Sequence, residues 1–201
     1  MKIFIYGDSN TWGCVPNLEG YSKNAKIKQF NKEDIWWHPL IQNNEVIVNG
    51  LCGRAINNEN PWLEGRNATK TINDDIKNIK ADLTIIMLGT NDCKSMYNLT
   101  AEDITNQLKE LSETIESKLN AKIMIISPVK IKEGNKITDK YYKGAEEKSI
   151  KLANLYNKLA QEKNYLFVSA LDLNLGEDGE HLTLQGHKTL ANLVLNKIKE
   201  I

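Results

Sequence analysis

A serine hydroxyl attacks a carbonyl only when a base takes its proton, and an imidazole does so when a carboxylate fixes its tautomer and stabilises the imidazolium. Ser9, His181 and Asp178 supply those three groups. Asp178 and His181 share the segment Asp178-Gly179-Glu180-His181, a spacing that lets their side chains meet on one side of a turn. Bringing Ser9 to them is a task for the fold. The tetrahedral intermediate also needs donors aimed at its oxyanion. Backbone N–H groups at Ser9 and Gly53 and the side-chain amide of Asn91 are candidates, because glycine allows close backbone approach and asparagine carries two donor hydrogens.

Each block has a plainer reading. Gly7-Asp8-Ser9 is ordinary loop chemistry after a strand, and Gly89-Thr90-Asn91-Asp92 suits a turn with left-handed residues. His181 and His187 could each cap a helix or sit in a core, and His38, in Trp36-Trp37-His38-Pro39, reads as structural. Conjunction favours chemistry: every block follows a predicted strand or falls in a turn facing the same crevice.

The elements that must position these blocks alternate. Strands are expected at 2–6, 45–49, 83–88, 122–127 and 165–169, most of them too continuously apolar to leave one face in water. Helical periodicity is expected over about 35–42, 68–80, 101–119, 139–163 and 184–199. Ile104, Leu108, Leu111, Ile115 and Leu119 illustrate it, recurring every third or fourth residue with charge on the opposite face. Strand then helix, five times over, predicts an α/β fold: a three-layer α/β/α, flavodoxin-like, doubly wound five-stranded parallel sheet. Sites in such folds gather beyond the carboxyl ends of the strands.

The 201 residues suit one domain spanning 1–201, since no linker, repeat or low-complexity tract divides them. With 26 basic against 26 acidic residues, the formal charge is 0 and no basic stripe offers itself to nucleic acid or anionic membrane. The absence of a long apolar run or a signal-like start makes a cytoplasmic location the expectation. Cys14, Cys52 and Cys93 lack the paired spacing of a metal site, so no metal is expected and all three read as small apolar filler.

With Ser9, Gly53, Asn91 and His181 in hand, the chain resembles the SGNH hydrolase superfamily, also called GDSL esterases, whose name records those four blocks. Longer strings are similar to its arylesterase and acyltransferase branch: Gly7-Asp8-Ser9-x-Thr11-Trp12-Gly13-x-Val15-Pro16, Gly50-Leu51-Cys52-Gly53-Arg54, Ile85 to Asp92 with Lys94, and Asp178-Gly179-x-His181-Leu182-Thr183. The resemblance runs from Lys2 to the last helix. It implies a Ser9-Asp178-His181 triad, an oxyanion hole from Ser9, Gly53 and Asn91, no cofactor, and homo-oligomers. One departure is Asn10, where the family usually carries Leu. The nucleophile also lacks the GxSxG elbow of the α/β-hydrolases.

The expected function is a serine esterase that hydrolyses or transfers short acyl groups such as acetyl from a small-molecule ester, with Trp12, Cys52 and Tyr97 flanking the substrate. Lys94, Met96 and Trp62 could also reach the crevice. Alternatives are a carbohydrate O-deacetylase of the same superfamily, a catalytically silent binding module, and a flavodoxin-like nucleotide binder. The last lacks any GxGxxG or P-loop string.

Overall fold

A computed structural model describes residues 1–19 and 27–201 of the chain. Five strands form one parallel sheet: β1 (Lys2–Gly7), β2 (Glu45–Gly50), β3 (Leu83–Met87), β4 (Lys122–Ile126) and β5 (Leu166–Val168), in the order β2-β1-β3-β4-β5. Strand order reverses beside β1, which opens a crevice at the carboxyl ends of β1 and β3.

Alternation along the strands builds two cores. Phe4, Tyr6, Ile86, Ile123 and Ile125 point to one face and pack with α2 (Ala68–Asp75), α3 (Ala101–Leu119) and α5 (Ala145–Lys163). Ile3, Ile5, Leu83, Ile85, Met87, Met124 and Ile126 point to the other, against α6 (Leu184–Ile198) and the segment carrying Ile35, Trp36 and Leu40. The result is the three-layer α/β/α arrangement the sequence predicts. Central β3 is buried along its length, whereas edge strand β2 exposes Glu45 and Ile47.

The helical expectations need three corrections. Over 35–42 the chain forms only a short 3-10 helix, His38–Gln42, with Pro39 in its first turn, where the missing N–H costs no helical bond. The helix expected over 68–80 ends at Asp75, where Asn73, Asp74 and Asp75 are weak helix formers. The long helix expected over 139–163 is two, α4 (Thr138–Tyr141) and α5, separated at Gly144, whose φ of 79° breaks the helical path. Among the described residues, no helix is long and apolar enough to cross a membrane.

A four-residue helix, α1 (Ser9–Trp12), sits directly on the strand ends, and two paired glycines make room for it. A Cβ on Gly50 would lie 2.5 Å from the Trp12 nitrogen, and one on Gly7 would lie 2.1 Å from Thr11 Oγ1. Arg54 secures the same corner. Its Nη1 donates to the carbonyls of Gly7 (2.9 Å) and Asn49 (2.6 Å), Nη2 donates to Asn49 Oδ1 (2.8 Å), and the guanidinium lies 4.0 Å from the centroid of the Tyr6 ring.

Candidate active site

Ser9 opens α1 immediately beyond β1, and Asp8 caps that turn by accepting from the Asn10 N–H through Oδ1 at 2.9 Å. His181 comes from the segment between β5 and α6, held by a turn in which Gly179 takes a φ of 75°. A Cβ there would meet the Lys132 carbonyl at 2.3 Å. Across this crevice Ser9 Oγ lies 2.9 Å from His181 Nε2, and His181 Nδ1 lies 2.8 Å from Asp178 Oδ2. The three side chains that the sequence singles out therefore stand in one hydrogen-bonded line.

Asp178 is an acceptor throughout. Its Oδ2 also receives the Asn17 N–H at 2.8 Å, and its Oδ1 receives the N–H groups of Glu180 (3.2 Å) and His181 (3.1 Å). Burial would raise its pKa, but the hydrogen bond and charge of His181 together with those N–H donors hold the carboxyl below its usual range. An ionised Asp178 fixes the proton of a neutral imidazole on Nδ1. Nε2 then accepts from the Ser9 hydroxyl, the tautomer a general base needs.

Burial would also lower the pKa of His181. The carboxylates outweigh it, Glu180 first and then Asp178 through its hydrogen bond and charge, with Asp8 adding to them, and the imidazole is raised to about 9. Glu180 is buried and accepts from the Tyr142 hydroxyl at 2.5 Å. Burial pushes Asp8 up to about 6, against the opposing pull of the Asn10 N–H and His181.

Asn91 faces the same crevice from the 3-10 turn Asn91–Cys93 that follows β3. Its Nδ2 donates to the Arg54 carbonyl at 3.1 Å, and its Oδ1 accepts from Lys94 Nζ at 2.8 Å. The lysine contact fixes which end of the amide is which, and the second Nδ2 hydrogen has no protein acceptor among the described residues. Gly53 precedes Arg54 with a φ of 80°, a conformation few other residues adopt without strain, and its N–H has no acceptor among the described residues either. Asp92 braces this wall. Its Oδ1 accepts from the Ile56 N–H at 2.9 Å and from Asn58 Nδ2 at 2.8 Å.

The flanking residues divide. Trp12 is half-buried, and its carbonyl accepts from Gln29. Tyr97 spends its hydroxyl on the Glu59 carbonyl at 3.0 Å, tying two rim loops together rather than pointing a polar group at the site. Trp62 is 58% exposed and packs edge-on against Tyr141. Its loop abuts Gly53, where Asn60 and Leu63 would be the first atoms a Cβ met. Lys94 lies in the buried wall rather than at the rim, and Met96 is exposed.

The cysteines differ in their surroundings. Cys93 and Cys14 are buried, whereas Cys52 is half-exposed beside the site; the Cys14 thiol donates to the Val15 carbonyl at 3.6 Å, and the neighbouring Cys52 raises its pKa while its own is lowered. Among the described residues no group of three His, Cys, Asp or Glu side chains is placed to hold a metal. His187 is a buried core residue, its ring edge-on to Phe30 and its pKa pushed down to about 4 by burial. Four supporting residues escape the sequence reading: Arg54, Glu180, Tyr142 and the bracing role of Asp92. Adjacency to a motif residue is the signal that could have found three of them, while Tyr142 carries none.

Residues 5–189 match the model of the GDSL-like lipase/acylhydrolase family. The chain is similar to the aryl esterase of M. smegmatis, with 26% identity over 99% of this chain and 98% of that one and a TM-score of 0.89. It is similar at 25% identity to a carbohydrate acetylesterase family member from Sinorhizobium meliloti, over 99% of this chain and 97% of that one, with a TM-score of 0.85. Est24, a carbohydrate acetylesterase from Sinorhizobium meliloti, shares the fold at 24% identity, 99% and 98% coverage and a TM-score of 0.88. No curated protein matches the chain. With the family model spanning most of its length, the chain belongs to the GDSL-like lipase/acylhydrolase family.

Proposed function

We propose that this carboxylic ester hydrolase releases short acyl groups through an acyl-enzyme on Ser9. The observation that carries the reading is the unbroken line from Ser9 Oγ through both imidazole nitrogens of His181 to Asp178. As Ser9 Oγ bonds to the ester carbonyl carbon, Nε2 of His181 takes its proton and Asp178 balances the imidazolium. The carbonyl oxygen becomes an oxyanion that receives the N–H groups of Ser9 and Gly53 and the second Nδ2 hydrogen of Asn91. Collapse breaks the bond to the leaving alcohol, which takes the proton from Nε2. Water, or a second alcohol, then attacks the acyl group by the same route in reverse.

Acetyl is the favoured acyl group, since relatives of this fold include carbohydrate acetylesterases. A second reading, a carbohydrate O-deacetylase, draws on Trp62, whose exposed ring on the loop beside Gly53 offers a sugar a flat apolar partner. Ser9→Ala should lower turnover of nitrophenyl acetate by about 10³-fold or more with the fold intact. Near-native turnover by the folded variant contradicts the assignment. Across nitrophenyl esters of rising chain length, kcat/KM should drop steeply beyond butyryl. A preference for long chains contradicts the small acyl group, and turnover of acetylated sugars selects the second reading.

The raised imidazole has a kinetic signature. A base must be neutral, so a His181 pKa of about 9 moves the acid limb of the kcat/KM profile to the alkaline side of the ordinary 6.5. Glu180→Gln removes a buried negative charge beside the ring and should move that limb to lower pH. A limb near 6.5 that ignores Glu180→Gln would contradict this electrostatic account.

A further inference from the structure

The residue after Ser9 is where the nucleophile block departs from the family's usual Leu, and Asn10 is only 1% exposed there. A carboxamide side chain carries the same donor and acceptor as a peptide group. Nδ2 of Asn10 donates to the Glu180 carbonyl at 3.0 Å, and its Oδ1 accepts from the Leu182 N–H at 2.9 Å. These are the outer polar groups of the two peptide units that meet at the His181 Cα. The inner groups are taken as well: the His181 N–H donates to Asp178 Oδ1 at 3.1 Å, and the His181 carbonyl accepts from the Gly176 N–H at 2.9 Å.

Both backbone torsions of His181 are thus pinned by four bonds, and two of the four come from the residue covalently next to Ser9. The chain between β5 and α6 contains no helix or strand, only an isolated bridge between Leu175 and Leu182. Individual hydrogen bonds must therefore set the place of His181, and a leucine side chain could make neither of the two that Asn10 makes. Without Asn10 the buried Leu182 N–H would lose its acceptor and the Glu180 carbonyl its donor, so the segment would shift to relieve the loss.

We propose that Asn10 is a positioning residue, a surrogate peptide that docks the backbone of His181 onto the residue next to Ser9 and so sets the separation across which their proton moves. The inference rests on the reading of Ser9 and His181 as nucleophile and base. A misplacement of about 1 Å can cost about 10²-fold in rate. In Asn10→Leu, kcat for nitrophenyl acetate and the rate of fluorophosphonate labelling of Ser9 should both fall by about 10- to 10²-fold, with KM little changed.

Asn10→Asp keeps the size and the acceptor for Leu182 but loses the donor to Glu180. It decides the matter if the leucine variant does not fold, and a smaller loss of the same kind is expected of it. The imidazole N–H proton shared with Asp178, read by NMR in the resting protein, should shift or broaden in either variant, which loss of packing elsewhere would not produce. Native kcat with an unmoved imidazole resonance in a folded variant would overturn the proposal. So would a loss confined to KM. If the wild-type protein is inert toward esters, the reading of Ser9 fails, while the resonance still reports whether Asn10 holds His181.

Discussion

Ser9 and His181 are 172 residues apart in sequence and 2.9 Å apart in space, and almost every feature near the strand ends serves to keep that distance. The sheet supplies the coarse placement. β1 delivers Ser9 to the point where strand order reverses, and β5 leads into the segment that returns with His181. Fine placement is local: glycines at 7 and 50 admit α1 against the strand ends, Arg54 ties together the ends of β1 and β2, and the turn at Gly179 presents Asp178 and His181 on one side. A hydrogen-bonded line of three side chains tolerates errors of a few tenths of an ångström, whereas loops without such ties fluctuate by more.

The site is electrostatically expensive. Asp8, Asp92, Asp178, Glu180 and Lys94 are all buried around one crevice. Asp8 and Asp92 are raised to about 6, so the stability they contribute is full below the ordinary carboxyl value of 3.8 and is lost as pH rises through 6. Asp178, held low, runs the other way and loses its contribution as pH falls. Lys94 is pushed down by burial despite the carboxylates of Glu180, Asp92 and Asp8. Such opposition is typical of a catalytic centre, where groups are held in charge states that the solvent alone would not favour.

The sheet and the meeting of Ser9, His181 and Asp178 are legible in the sequence because their signals are local. Ile85-Ile86-Met87-Leu88 can hardly be other than a covered strand, and each polar block stands just past such a run. Asp178 and His181 share a turn, so their pairing needs only spacing. The contacts of Asn10, by contrast, are made to the backbone of residues at 180 and 182, and backbone partners leave no trace in side-chain identity. The Arg54 guanidinium is hidden for the same reason, since it bonds mainly to carbonyls. Helix ends are not legible where a single φ decides them, as at Gly144, or where weak formers let the helix dissolve, as after Asp75.

The proposed mechanism requires a single reacting carbon reached at once by Ser9, His181 and Asn91. A crystal structure of the protein inactivated with a small alkyl phosphonate measures that convergence directly, because tetrahedral phosphorus stands in for the attacked carbon and its oxygen for the oxyanion. The account predicts phosphorus bonded to Ser9 Oγ, with the phosphoryl oxygen within hydrogen-bond distance of Asn91 Nδ2 and the Gly53 N–H. An adduct on another residue, or a phosphoryl oxygen turned away from Asn91 and Gly53, would contradict it.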